Sequence, residues 1–112
     1  SVNNVSFGKS IPIGTTVTIE AKVSRAFTTS MEVFIDVWID DDGGKKIKAN
    51  EAIYTFVAVD KFGKPTKIDK INPETEEEKK RYDAALRRRQ LSLVLAGKMK
   101  ADDATELKAL FT

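Results

Sequence analysis

The sequence predicts an α+β domain, an antiparallel sheet followed by a helix. Three observations predict it. Over residues 1–60 apolar and polar side chains alternate with period two, whereas residues 61–112 read with helical period. Charge divides at the same place, with 6 basic and 8 acidic residues in the first part and 13 and 9 in the second. Strands come first and helices after, without the alternation of a parallel α/β fold.

Composition narrows the chemistry. The 112 residues hold 19 Lys+Arg and 17 Asp+Glu, and a net charge of +2 does not by itself imply a nucleic-acid partner. Cysteine and histidine are both absent. That excludes cysteine nucleophiles, Cys- or His-ligated metals and every histidine general base. No apolar run approaches the ~20 residues of a membrane span.

Four strands are expected. The first covers residues 1–7, with Val2, Val5 and Phe7 as its apolar members, and a turn around Pro12 and Gly14 follows. The second covers 15–27. Val17, Ile19, Ala21 and Val23 alternate with Thr18, Glu20, Lys22 and Ser24, the pattern of a half-buried strand. The third covers 30–40. Met31, Val33, Ile35, Val37 and Ile39 form one face, and Glu32, Phe34, Asp36, Trp38 and Asp40 the other. Two large aromatics on the polar face suggest that it is partly covered too. Residues 41–45 read as a hairpin turn. A metal could be held by Asp40, Asp41 and Asp42, but consecutive acids in a turn fit solvation better than the alternate spacing of calcium loops. The fourth strand covers 46–60, and 61–65 is the next turn.

The helical part opens on Thr75 and Glu78, spaced as a capping box. Glu76–Lys80 and Glu77–Arg81 are expected i,i+4 pairs, and Arg87, Arg88 and Arg89 fall later, in line with the helix dipole. Tyr82, Ala85, Leu86 and Leu93 can form an apolar stripe, and Gly97 is the expected stop. A short final helix is expected from Asp102 or Asp103 to Leu110.

Four stretches together resemble a known family. Ser1-Val2-Asn3-Asn4-Val5-Ser6-Phe7 with Pro12, Ile13 and Gly14 is similar to a strand entering a PI-x-x-G turn. Thr29-Ser30-Met31-Glu32-Val33 resembles a TSMEV strand start. Residues 49–60 with Gly63, Lys64 and Pro65 resemble the last long strand and its turn. Residues 73–82 through Arg87, Arg88 and Arg89 are similar to a charged C-terminal helix. The family is the hotdog-fold acyl-CoA thioesterases of bacterial and cytosolic type.

The resemblance implies an antiparallel sheet around a central helix, with a C-terminal helix added. It implies hydrolysis of acyl-CoA to CoA and a carboxylic acid, with no metal or other cofactor required. CoA enters only as part of substrate and product. It also implies a homodimer, a hexamer built as a trimer of such dimers and a cytoplasmic location, with no nucleic-acid partner. The motif order places residue 1 after the family's central helix. Residues 1–112 are therefore read as one hotdog domain incomplete at its N-terminus, with strands over 1–70, the charged helix over 73–97 and a tail over 98–112. The family's catalytic acid and the helix whose amides polarise the thioester belong upstream, so no catalytic residue is assigned within the chain. The contrasting reading is a non-catalytic acyl-CoA-binding or oligomerisation module.

The substrate and CoA candidates are Asn3, Asn4, Thr28, Thr29, Ser30, Met31, Glu32, Arg87, Arg88 and Arg89. The resemblance places 28–32 beside the thioester and pantetheine channel; the plainer alternative is a polar strand-start turn with Met31 in the core. Asn3 and Asn4 lie on the strand implied to form the dimer edge, or else on a solvated edge. The three arginines suit CoA phosphates, or else a solvated helix face. Lys64 and Lys67 are weaker candidates of the same kind.

Overall fold

The structure is a computed structural model. It describes the backbone of residues 2–7 and the whole of residues 10–105. The chain divides into two compact units, Ser1–Lys70 and Ile71–Thr112.

The first unit is a four-stranded antiparallel sheet. β1 is Val2–Phe7, β2 Val17–Ala26, β3 Ser30–Asp40 and β4 Lys46–Val57. The order is β1-β4-β3-β2, so β2, β3 and β4 form a meander and β1 returns to pair with β4. β3 has the expected bounds. β2 is shorter at both ends than the expected 15–27. β4 ends at Val57 rather than at residue 60, because the chain then folds back and Val59 bridges Pro65.

Each strand pair contains one register shift, and these shifts decide which side chains meet. Val23 faces Val33 and Arg25 faces Glu32, so Ser24 is the extra residue in β2. Trp38 faces Lys48 and Val37 faces Asn50, so Ala49 is the extra residue in β4. Asn3 has the same place in β1. A bulge sets two residues against one and breaks the strict alternation of faces.

The covered face differs from the sequence expectation. Along β2 the apolar row is the exposed one, with Val17 at 42%, Ile19 at 65% and Val23 at 38% exposure. On β3 the residues Ser30, Glu32 and Asp36 are buried, and Phe34 and Trp38 half-buried. Alternation separates two faces but does not say which one is covered. The two aromatics were the better guide.

Two turns share one construction. In the 41–45 turn, Asp41 N–H donates to Lys45 O at 2.8 Å and Gly44 N–H to Asp41 O at 3.0 Å. Asp41 Oδ1 accepts from the amides of Gly43 and Lys45. The 60–64 turn repeats all four bonds through Asp60, Phe62, Gly63 and Lys64. Gly44 and Gly63 adopt φ of 79° and 78°, a region that favours glycine.

The second unit carries α1, Glu76–Leu95. Thr75 and Glu78 form the expected capping box, at 3.1 Å and 3.0 Å. The helix ends in a Schellman motif, with Lys98 N–H on Leu93 O, Gly97 N–H on Val94 O and Gly97 at φ 72°. Arg81 pairs with Glu77 at 2.9 Å, whereas Glu76 pairs with Lys79 at 3.6 Å rather than with the expected Lys80. Arg87, Arg88 and Arg89 sit mid-helix, and the last turn carries no basic residue. They are too far from the helix end for the expected dipole benefit. Ala85 is buried and Tyr82, Leu86 and Leu93 are half-buried, which fits the expected stripe, but Gln90 is buried as well. Beyond it the chain forms a 3-10 turn over Ala101–Asp103, where a helix was expected to start, and Thr105 is helical. The remainder of that expected helix, 106–110, lies outside the described residues.

Candidate functional site

The residues 28–32 form the turn and strand start between β2 and β3. Phe27 N–H donates to Ser30 O at 2.7 Å, which closes a two-residue turn over Thr28 and Thr29. The segment after β4 fixes this turn from the side. Ala58 N–H donates to Thr29 O at 2.8 Å, and Ile68 N–H donates to Thr28 O at 3.1 Å. Both turn carbonyls are thus committed within the fold. Thr28 is exposed, Thr29 and Met31 are half-buried, and Ser30 and Glu32 are buried.

Glu32 is held by the bulge at Ser24. Ser24 Oγ donates to Glu32 Oε1 at 2.6 Å, with the Glu32 carbonyl oxygen also in range at 3.1 Å. A buried carboxylate needs such donors to offset the loss of water. Strict alternation would have sent Arg25 to the other face, but the bulge sets it opposite Glu32.

The structure also gathers a charged cluster that the sequence analysis did not find. Lys48 Nζ lies 2.9 Å from Asp36 Oδ1, 3.0 Å from Glu51 Oε1 and 5.3 Å from the centre of the Trp38 ring. Burial acts to lower the Lys48 pKa, but the hydrogen bonds and charges of Asp36 and Glu51 outweigh it. The ammonium is held above its ordinary 10.5. Lys48 is therefore a fixed cation and not a base. Trp38 Nε1 is buried and finds no hydrogen-bond partner among the described residues. Lys48 and Glu51 are three apart and would point to opposite faces of a regular strand. Only the bulge at Ala49 brings them together, and that bulge has no mark in the sequence.

The other candidates are placed separately. Asn4 pairs with Ile53 and lies across β4 from β3, while Asn3 is the extra residue of its bulge. Met31 and Glu32 pair with Phe56 and Thr55, past the end of β1 at Val2. The register therefore does not bring Asn3 and Asn4 level with 28–32. Arg87 and Arg88 are half-buried and Arg89 exposed, all on α1 of the second unit. Asp41 commits Oδ1 to two backbone amides, the work of a turn residue. Among the described residues no group of three Asp or Glu side chains is gathered as for a metal ion.

The sheet and its TSMEV turn can be set beside known proteins. The family model described as Thioesterase superfamily matches residues 1–46. The chain is 40% identical over 101 residues to acyl-coenzyme A thioesterase 11 of Mus musculus, covering 89% of this chain and 17% of that protein. It superposes on a solved acyl-CoA hydrolase from Staphylococcus aureus, in complex with butyryl coenzyme A, coenzyme A and coenzyme A disulfide. The TM-score there is 0.76 and the identity 35%, over 97% of this chain and 66% of that one. The chain belongs to the hotdog-fold thioesterase superfamily. A solved apo-hexameric acyl-CoA thioesterase is similar too, with a TM-score of 0.78 and 33% identity over 85% of this chain and 62% of that one. The hotdog chain described here spans less than two thirds of each of these three relatives.

Proposed function

We propose that the protein, as its complete polypeptide, hydrolyses acyl-CoA thioesters to free CoA and a carboxylic acid. The observation that carries the reading is the match in both sequence and fold to an acyl-CoA hydrolase solved with CoA ligands, over nearly the whole of this chain. Water is the second substrate, and the thioester bond is cleaved with the thiol leaving as CoA. The reaction calls for no metal or further cofactor. The fixed turn at Thr28, Thr29 and Ser30, with Met31 and Glu32, is proposed to border the thioester and pantetheine. Asn3 and Asn4 are proposed to face a second subunit in a homodimer, and a trimer of dimers is proposed on the likeness to a hexameric relative. A cytoplasmic place belongs to the same proposal; among the described residues no helix is long and apolar enough to cross a membrane.

Arg87, Arg88 and Arg89 are proposed to contact CoA phosphates. Exchanging all three for Gln should then raise KM for acyl-CoA several-fold at low salt and less at high salt, because screening removes what the charges add. A KM unchanged across salt would assign them to a solvated face.

The contrasting reading is a hotdog module that binds acyl-CoA without cleaving it. Titration of the complete polypeptide with CoA, alongside an assay of thiol release, separates the two. Binding with release supports the hydrolase, and binding without release supports the module.

A further inference from the structure

Phe62 stands at the tip of the 60–64 turn with 75% of its surface exposed. The four hydrogen bonds of that turn and the Val59–Pro65 bridge beneath it hold the tip in place. The construction does not require an aromatic residue. The 41–45 turn makes the same four bonds with Asp42 and Gly43 where this one has Lys61 and Phe62. The exposed ring therefore does nothing for the turn, yet its apolar surface stays in water.

Its surroundings show what would cover it. Lys61, Lys64 and Lys67 are all exposed, and Lys61 Nζ lies 5.2 Å from the centre of the Phe62 ring. From Val57 to Ile68 the only acid is Asp60, whose Oδ1 already accepts two backbone amides. Val57 and Val59 add exposed apolar surface on the approach to the turn. An exposed apolar tip with one lysine against its ring and two more exposed lysines in the same short segment complements an anionic lipid surface. The ring enters the acyl boundary while the ammonium groups stay at the level of the phosphates.

We infer that this turn docks the protein reversibly onto an anionic lipid bilayer, with Phe62 inserting and Lys61, Lys64 and Lys67 contacting headgroup phosphates. The inference does not rest on the thioesterase reading: Phe62 and Lys61 have no part in it, and Lys64 and Lys67 are only weaker candidates there for CoA phosphates. The test is co-sedimentation of the complete polypeptide with phosphatidylcholine vesicles, with and without phosphatidylglycerol. Binding is expected to the mixed vesicles, weaker to pure phosphatidylcholine, and weakened by salt. Phe62→Ser should lower it by about tenfold. Exchanging the three lysines for Gln should lower it by roughly a hundredfold. Asp42→Ser, in the sister turn, should leave it unchanged. Circular dichroism shows that each variant is folded. Failure to bind mixed vesicles, or equal binding by wild type and both variants, overturns the inference. A change in assembly mass on Phe62→Ser with vesicle binding intact also overturns it, and makes the tip a contact between copies of the chain.

Discussion

Lys48 faces Asp36 and Glu51 because Ala49 is bulged out of β4. Asp36 is buried, with that ammonium 2.9 Å from its Oδ1. Lys48→Met removes the cation beside the buried carboxylate and should cost about 2 kcal/mol in denaturant unfolding. The pH dependence has a definite sign. The folded-state pKa of Lys48 is raised above 10.5. The contribution is therefore complete below the unfolded value and is lost as pH rises through the folded one. Wild type should lose its margin over Lys48→Met in alkaline unfolding curves above about pH 10.5. A constant margin across that range would show that the ion pair does not stabilise the fold. At this scale the sequence was legible only where residues act locally. Thr75 with Glu78, Gly97 and the glycines of the turns announce themselves because their partners are a few positions away. Ser24 with Glu32 and Lys48 with Glu51 do not, because each pairing depends on a bulge set by the neighbouring strand.

The elements were legible in kind and order, and less so at their ends. β3 could be placed to the residue because alternation starts and stops sharply at Ser30 and Asp40. β4 was read too long because Ala58, Val59 and Asp60 continue the apolar pattern, while the backbone already turns to bond Thr29 and Lys64. Hydrophobic period reports the face and not the ladder partner. The helix α1 draws a measurable share of its order from its first turn. Thr75→Ala removes the bond to the Glu78 amide and should cost about 1 kcal/mol, read as a lower unfolding midpoint and fraying at residues 76–78. An unchanged midpoint would mean that the cap is redundant.

For the whole molecule, the sheet leaves one apolar row open. Val17, Ile19 and Val23 lie on it, and Phe56 on the same side of β4 is also exposed. An apolar stripe of this kind invites association. Residues 1–112 on their own should self-associate in sedimentation, and Ile19→Lys should reduce the effect. A well-behaved monomer with a cooperative melt would contradict this. The stretch from Thr28 to Glu32 stood out as a string, and the structure shows it as a fixed turn and strand start. What could not be read was the role of each residue, since hydroxyls and carboxylates serve a fold and a ligand with the same chemistry. The central claim is acyl-CoA hydrolysis, and the most direct test is the rate of free-thiol release when the complete polypeptide meets acyl-CoA of increasing chain length. Release proportional to enzyme, at one or more chain lengths, is the result expected. No release above the uncatalysed rate at any length, from protein shown to be folded, would contradict it.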